Sequence, residues 1–363
     1  MNKLSLLSLC VAGVLAAPHA MAAPLDALLS ANPPATPGSG KLEASYDVVN
    51  RTVDIFGIRD SDDDFAGTNV GDYHGAHIRG GIALTPRLWL DGGLWQRRVE
   101  YRGGRAEIHS WQAAGQYKFL EAAGARPAMA VRLGAWGNAA GSLQKSTPSR
   151  FQGVALDSVG VADPEDRQLQ LDLIATWPVT ESLEFSTFAG AGKSRVKVGT
   201  ISGTATQNGC RYNLAFGPSA VVGTVAQPCG GNAVVERFES PYSALGVDPY
   251  AEAKYRANYA HVGLSGKWTR GPWRLQGGYQ FQVLDRKGID DTIESRAGRT
   301  SKNNHILVGE IAYQVTRHLI LFTRGQYMSN QFTGEIPFTY NGLTASGFDK
   351  HYGILSVGLV LQF

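Results

Sequence analysis

Hydrophobic and polar residues alternate with a period of two through most of the chain after residue 40. Successive side chains of a β-strand point to opposite faces, so this alternation predicts strands with one apolar and one polar face. The alternating segments are separated by connections that are short and long in turn, as in antiparallel strands in up-and-down order. The segments, about twelve in number, are residues 42–58, 72–84, 88–101, 106–120, 128–139, 167–177, 183–198, 250–268, 273–286, 304–315, 319–330 and 350–363.

The connections differ in length between the two ends of the predicted strands. Five are tight, and these are residues 85–87, 121–126, 178–182, 269–272 and 316–318. The other end has long connections, with one short exception at residues 102–105, and the long ones include residues 59–71, 141–166, 199–249, 287–303 and 331–349. This asymmetry predicts an all-β fold, a transmembrane up-and-down antiparallel β-barrel over residues 41–363.

The last twelve residues read Y-G-I-L-S-V-G-L-V-L-Q-F. Every second residue from Leu355 to Phe363 is apolar, so one face of this strand is continuously apolar. The segment resembles the C-terminal signature strand of bacterial outer-membrane β-barrels. That resemblance implies a bacterial outer-membrane location and recognition of the terminal Phe363 by the barrel assembly machinery.

The first residues of the chain predict export. Residues 1–22 contain a basic Lys3, an apolar run over residues 4–17 and the small-x-small site Ala20-Met21-Ala22. This layout is that of a secretory signal peptide, and we expect cleavage after Ala22. Residues 23–40 are rich in Pro, Ala and Ser, so we expect a flexible N-terminal leader, on the periplasmic side or inside the barrel mouth.

Composition agrees with a barrel. After residue 22 the chain has no apolar stretch of the roughly 18 residues that a membrane helix needs. A membrane protein without such helices must close a sheet on itself, because only then is every backbone polar group satisfied. The mean hydropathy of -0.15 and the content of 44 Gly, 14 Tyr, 14 Phe and 7 Trp suit such a protein. A net charge of +3 gives no indication of a nucleic-acid partner.

Two cysteines remain once the signal peptide is removed, and both lie in the connection over residues 199–249. Export to an oxidising compartment allows Cys210 and Cys229 to pair, so we expect a disulfide. Such a bridge closes a loop of about twenty residues and stabilises the fold by roughly 3 kcal/mol.

Aromatic residues cluster beside the tight connections and at the end of the last strand. Amphipathic rings prefer the boundary between membrane and water, so we expect one aromatic girdle on that side. Its members are Trp89, Phe119, Trp177, Trp268, Trp273, Tyr313 and Phe363, with Phe185 beside them.

Charged residues are expected to face the lumen, because Arg or Lys at mid-membrane depth on the lipid side costs roughly 2–4 kcal/mol. The polar parity of each strand therefore predicts a lumen of mixed sign and slight positive charge. The expected lumen-lining residues are Arg79, Asp91, Arg97, Lys118, Arg132, Asp172, His261, Lys267, Arg274, Gln280, Glu310 and Arg324.

A porin-like passive channel for small hydrophilic solutes fits this polar lumen, with outer-membrane lipids and lipopolysaccharide as surroundings. One alternative is a lumen filled by ion pairs, such as Arg324 with Glu310 or Arg79 with Asp91. The width of the barrel does not decide between an open and a filled lumen. A barrel of eight strands has room inside for side chains only, one of sixteen strands has a channel, and twelve strands lie between these cases.

A second alternative is an enzyme, because the resembling class contains proteases, phospholipases and lipid A deacylases. Acidic and histidine residues occur near the first long connection, namely Asp60, Asp62, Asp63, Asp64, Asp72, His74 and His77. His109 and Ser110 are adjacent, so they point to opposite faces and do not pair. We predict no catalytic residue, no metal site and no cofactor.

A third alternative is a surface-exposed structural or interaction protein that acts through residues 199–249, since rigid scaffolds often present functional loops. The apolar, Gly-rich stretch over residues 215–225 gives this connection another possible role. It could fold inward and constrict the lumen.

Overall fold

The computed structural model describes residues 27–49, 72–101, 104–145, 149–151, 154–207, 209–226, 236–245, 248–295, 298–330, 334–342, 345 and 351–363. Strands dominate these residues. In chain order they are β1 (Gly40–Val49), β2 (Asp72–Ala83), β3 (Leu88–Tyr101), β4 (Gly104–Leu120), β5 (Ala128–Ala140), β6 (Ser142–Lys145), β7 (Ser149–Phe151), β8 (Val154–Leu156), β9 (Ser158–Ala162), β10 (Glu165–Pro178), β11 (Leu183–Lys197), β12 (Ile201–Gln207), β13 (Cys210–Phe216), β14 (Ala220–Val225), β15 (Arg237–Pro241), β16 (Tyr255–Arg270), β17 (Trp273–Lys287), β18 (Asn303–Gln314), β19 (Leu319–Met328) and β20 (Tyr352–Gln362).

Helical segments are short and lie in the connections. They are α1 (Tyr242–Leu245), α2 (Pro249–Glu252), α3 (Ile289–Ser295) and a 3-10 turn (Pro337–Thr339). No helix among the described residues is long and apolar enough to cross a membrane.

Twelve strands form one closed antiparallel barrel in the order β1-β2-β3-β4-β5-β10-β11-β16-β17-β18-β19-β20. The last strand closes it against the first, with Lys41 opposite Gln362 and Val49 opposite Ile354. Closure leaves no unpaired edge, which is the condition for backbone in hydrocarbon. The predicted fold class and strand number are confirmed.

The two ends of the barrel differ as the sequence predicts. We call the end with the tight connections and the chain termini of the barrel the turn end, and the opposite end the loop end. Midway along the strands the outward side chains are exposed and apolar, as in β10, where Leu169, Leu171 and Leu173 are 54%, 54% and 49% exposed and the inward Gln168, Gln170 and Asp172 are buried. An apolar outer band around a polar interior is the pattern of a transmembrane barrel.

Within the described residues, most strand boundaries lie within two residues of the prediction, and one differs by more. We expected β16 to begin at Tyr250, but Pro249–Glu252 forms α2 and the strand begins at Tyr255. Proline at the first helical turn and the Asp248 side chain, which accepts a hydrogen bond from the Ala251 N–H, favour the helix. Residues 50–58 of the first predicted strand lie outside the described residues.

The long connections build a second sheet at the loop end. Its six strands run in the order β15-β14-β13-β12-β9-β6, and it has its own apolar cluster, which includes Leu156, Ile201, Leu214, Phe216 and Tyr242. We call it the loop-end sheet. Phe216, Val221 and Val225 of the apolar stretch over residues 215–225 pack in this cluster. Six strands at about 4.8 Å spacing are too wide for the whole sheet to lie inside a twelve-stranded barrel.

Candidate functional site

The lumen holds the charged residues of the barrel. All twelve predicted lumen-lining residues lie on the inward face of their strands. They occupy β2 (Arg79), β3 (Asp91, Arg97), β4 (Lys118), β5 (Arg132), β10 (Asp172), β16 (His261, Lys267), β17 (Arg274, Gln280), β18 (Glu310) and β19 (Arg324). The alternation along each strand does not predict which of these residues pair with each other.

One group of ion pairs links five strands on one side of the lumen. Arg324 lies 3.0 Å from Glu43 and 2.6 Å from Glu310. Glu310 also accepts a hydrogen bond from Arg274 at 2.9 Å, and Glu43 lies 3.1 Å from Arg79. Both carboxylates are nearly inaccessible to solvent, so each requires its cation partners in this position. We call these five residues the Arg324 cluster.

Beside this cluster, His77 joins Ser45 and two acidic residues. Its Nδ1 lies 2.8 Å from Asp47, its Nε2 lies 3.1 Å from Glu43, and the Ser45 hydroxyl lies 2.9 Å from Nδ1. The composition is that of a serine hydrolase triad. The geometry is not, because carboxylates engage both ring nitrogens and leave neither available to accept the serine proton.

The other candidates for an enzyme are dispersed. His74 points outward and lies 6.3 Å from the Tyr46 ring, on the face opposite His77. Ser110 is buried in the lumen and donates a hydrogen bond to Asn138, whereas its neighbour His109 points outward. The acidic run over residues 60–64 lies outside the described residues.

The opposite side of the lumen has its own pairs. Arg132 binds both carboxylate oxygens of Asp91, at 2.5 and 2.7 Å, so Asp91 pairs with Arg132 rather than with Arg79. His261 Nε2 lies 2.7 Å from Asp172, and both side chains are almost completely buried. Near the turn end, Lys267 donates to Glu184 at 3.0 Å. The wall of the lumen is therefore charged but locally neutralised.

The lumen also contains two segments of chain from outside the wall. The first, which we call the leader segment, is residues 27–32, and it enters at the turn end. Backbone atoms of Ala31 and Leu29 bond to the wall, with the Ala31 N–H donating to Thr176 at 2.8 Å and Leu29 O accepting from Ser265 at 3.0 Å. Leu29 and Ala31 pack on Ile174 and Phe188.

Polar side chains add to the contacts of the leader segment. The Ser30 hydroxyl donates to Glu184 at 2.6 Å, and Ser30 O accepts from the Gln116 amide at 2.9 Å. The backbone of Ala27 lies where a Cβ on Gly278 would be. Residues 27–32 of the predicted leader thus occupy the turn-end half of the lumen, whereas residues 34–38 are exposed.

The second segment is residues 334–340, in the last long connection, and it enters from the loop end. We call it the inserted loop. Its side chains from Glu335 to Tyr340 are at most 2% exposed. Proline at position 337 begins the 3-10 turn that reverses the chain inside the barrel.

Ionic and polar contacts hold the inserted loop to the wall. Glu335 lies 2.7 Å from Arg97, with both side chains at most 2% exposed, and Glu335 O accepts from Asn138 at 3.0 Å. Pro337 O accepts from the Tyr255 hydroxyl at 2.6 Å. A buried pair of this kind fixes one arrangement of the loop, because each charge separated from the other would be left unsolvated.

Tyr340 anchors the other end of the inserted loop. The Arg286 guanidinium lies 3.9 Å from the centre of the Tyr340 ring, and the Tyr340 hydroxyl oxygen accepts from the Ser301 N–H at 3.0 Å. Burial raises the pKa of Tyr340 above its ordinary value. The phenol is therefore neutral near pH 7 and remains bound in the lumen without a charge of its own.

Little space is left between the inserted loop and the wall. A void of about 10 Å³ remains there, bordered by Gln168, Ser194 and Tyr255, which is about the room that one water molecule needs. Among the described residues, the lumen therefore holds one segment of chain from each end, and the inserted loop packs closely against the wall.

Sequence reasoning did not find the inserted loop. The signal was present, because Ile336, Phe338 and Tyr340 alternate with polar residues in a connection expected to face water. Such a pattern in a long loop indicates burial against something, and the lumen is the surface within reach. The pairing of Arg97 with a residue 238 positions away was not visible in strand parity.

Six of the seven predicted girdle residues lie on the outward face near the turn end, and these are Phe119, Trp177, Trp268, Trp273, Tyr313 and Phe363. Trp273 and Tyr313 form an edge-to-face pair at 4.8 Å. Trp89 does not belong to the girdle, because it points into the lumen, where it is 4% exposed and packs over Gly81. The absent side chain of Gly81 makes the inward position possible for the indole.

Of the two cysteines, Cys210 begins β13 and is buried in the apolar cluster of the loop-end sheet. Cys229 lies outside the described residues. The disulfide between them stays a prediction.

Comparison with known proteins assigns the chain to no family. No family model and no curated protein matches the chain. Among solved structures it is similar to the translocator domain of autotransporter NalP from Neisseria meningitidis, with 10% identity over 90% of this chain and 89% of that chain and a TM-score of 0.45.

Two further similar structures have other activities in their names. The NanC porin is 8% identical over 89% of this chain and 100% of that chain, with a TM-score of 0.40. The outer membrane protease OmpT from Escherichia coli is 11% identical over 90% and 98%, with a TM-score of 0.30.

Proposed function

We propose that this protein is a porin-like outer-membrane channel for small hydrophilic solutes, closed in the present conformation by the leader segment and the inserted loop. One observation supports this above all: the lumen is occupied by two chain segments, one entering from each end, in addition to side chains of the wall. A segment can leave a barrel without breaking any strand pairing. A wall that filled its own lumen would offer no such route.

The chemistry of the wall supports a path for hydrated solutes. The Arg324 cluster and the Asp91–Arg132 pair carry charges that water can solvate once the segments have left, and Asp172 and His261 add polar groups to the wall. Carboxylates and guanidinium groups on facing strands set up a transverse field, and the slight excess of basic residues favours small anions. The proposed channel is narrow and mildly anion-preferring.

Single-channel recording tests this proposal. The refolded protein is compared in a planar bilayer with a variant in which residues 334–340 are replaced by a Gly-Ser sequence of equal length. We expect brief, rare openings from the unchanged protein and longer ohmic openings from the variant. If the folded variant is as silent as the parent, the wall itself closes the lumen and the channel proposal fails.

The proposed function includes a location and partners. We propose that the signal peptide is removed after Ala22 and that the loop end faces the cell exterior, among outer-membrane lipids and lipopolysaccharide. The C-terminal strand, with Phe363 at its end, would be the element that the barrel assembly machinery recognises. N-terminal sequencing of the protein from purified outer membranes, with Phe363→Ala as a variant for assembly yield, tests these points.

A second candidate is a closed barrel whose function lies in the loop-end sheet. The observation in its favour is that the sheet has its own cluster of buried apolar residues, so it is a folded unit and not an irregular connection. Replacing residues 201–241 with a short Gly-Ser linker separates the candidates. Loss of binding to host or bacterial surfaces by a barrel that conducts no current before or after the replacement supports the second candidate. Ohmic openings both before and after the replacement support the channel.

A further inference from the structure

Four basic side chains lie next to one another on the outside of the barrel near the loop end. Strand register places Arg167 of β10 opposite Arg195 of β11, Arg195 opposite Arg256 of β16, and Arg256 opposite Lys287 of β17. All four side chains are exposed and belong to the outward parity of their strands. We call them the basic row. With neighbouring strands about 4.8 Å apart, the row extends over about 14 Å.

The basic row is poorly neutralised by the protein. Among the described residues, Glu165 lies 3.6 Å from Arg167 and 3.1 Å from Lys197. No ion pair of the described residues involves the other three members, and the outward Asp285 on β17 is the nearest further carboxylate in the register. Like charges directly opposite each other destabilise a sheet. Binding of an external anion would therefore reduce the repulsion at three such contacts in succession.

The position of the row limits what that anion is. Two residues toward the middle of the barrel, the outward positions hold Leu169, Lys193, Asn258 and Asp285. Four residues toward the middle, they hold Leu171, Ala191, Ala260 and Val283, and the outward face is apolar. The basic row, with Lys193 one level below it, thus lies just above the apolar band on its loop-end side. A ligand that fits has negative charge at the level of the row and hydrocarbon below it.

We propose that the basic row binds the phosphate groups of lipid A in the leaflet at the loop end, with acyl chains along Leu169, Leu171 and Val262. Arginine is suited to this role, because its planar guanidinium forms two parallel hydrogen bonds with a phosphate. The length of the row allows two phosphates to bind at once. This inference depends on the proposed membrane location and not on whether the lumen conducts.

The test measures lipid binding by the full barrel in detergent micelles, with native mass spectrometry. Bis-phosphorylated lipid A is titrated against the unchanged protein, Arg195→Gln and Arg98→Gln. Arg98 is the matched control, since it is also an outward arginine near the loop end but lies on β3 and pairs with Glu107 at 3.1 Å. Heat-modifiable migration confirms that each variant has folded.

We expect one lipid A molecule to bind, with affinity about tenfold lower for Arg195→Gln, the fold-change expected from loss of one charged hydrogen-bond group. Arg98→Gln is expected to bind within twofold of the unchanged protein. Equal losses in both variants would mean general electrostatic attraction and would overturn the proposal. So would equal binding of lipid A stripped of its phosphates, or of phosphatidylglycerol at the same concentration.

Conductance distinguishes this inference from the proposed channel. Arg195 lies outside the barrel, so Arg195→Gln is expected to leave single-channel behaviour unchanged while it weakens lipid A binding. A silent channel with a specific lipid A site would contradict only the proposed function.

Discussion

At the scale of single residues, the lumen of this barrel is made of compensated charges. Strand parity predicted which side chains face inward, because a period of two has only two possible phases. It did not predict their partners, since Arg324 and Glu43 are 281 positions apart and meet only after the last strand has closed on the first. Sequence pattern therefore predicted the inward face of the charged residues but not that of Trp89, which was expected in the outward girdle, and closure of the barrel determines the pairs.

The buried pair between Arg97 and Glu335 is expected to stabilise the inserted loop. Removing either charge leaves the other buried and unpaired, so Arg97→Met and Glu335→Gln should each lower the free energy of unfolding by about 3–5 kcal/mol. The double variant should lose less than the sum of the two. Urea unfolding of all four proteins in detergent measures this coupling, and strictly additive losses would show that the two charges do not interact.

The glycine at position 278 is expected to be necessary for seating the leader segment. A Cβ there would collide with the backbone of Ala27, whereas a Cβ on the adjacent Gly277 has no atom closer than 3.9 Å. Gly278→Val should therefore expel residues 27–32, and Gly277→Val should not. Hydrogen exchange of residues 28–32 is the measurement, and slow exchange in Gly278→Val, as in the unchanged protein, would refute the described position of the segment.

At the scale of elements, the barrel strands could be predicted and the segments between them could not. A strand that borders lipid on one side and a polar lumen on the other must alternate, so residues 273–286 and 352–363 are readable from sequence alone. The connections obey no such rule. The inserted loop is buried by a cavity that other parts of the chain create, and the loop-end sheet depends on pairing between β9 and β12, which lie in different connections.

The predicted disulfide would stabilise the loop-end sheet and would leave the stability of the barrel unchanged. We expect intact Cys210–Cys229 linkage in non-reduced peptide maps. The variant Cys210→Ser/Cys229→Ser should expose residues 201–241 to protease, with a local loss of roughly 3 kcal/mol, while the barrel keeps its heat-modifiable migration. Free thiols in the exported protein, measured by alkylation without reductant, would contradict the pairing.

At the scale of the whole molecule, the barrel is a closed wall whose lumen contains residues 27–32 and 334–340, which enter it from opposite ends. Twelve strands leave more room than their own side chains occupy, and the two segments fill that room from opposite ends. The barrel depends on strand pairing around its circumference, whereas the closure of its lumen depends on a small number of hydrogen bonds and one buried ion pair. Opening and unfolding are therefore different processes in this protein.

The most direct measurement is the single-channel conductance of a variant in which both segments are replaced by Gly-Ser sequences of equal length, recorded beside the unchanged protein. The account predicts steady ohmic conductance in the double variant, larger than in a variant with either replacement alone, and a mostly closed unchanged protein. A folded double variant that conducts no current would show that the charged wall closes the lumen without help from the two segments, and would contradict the account.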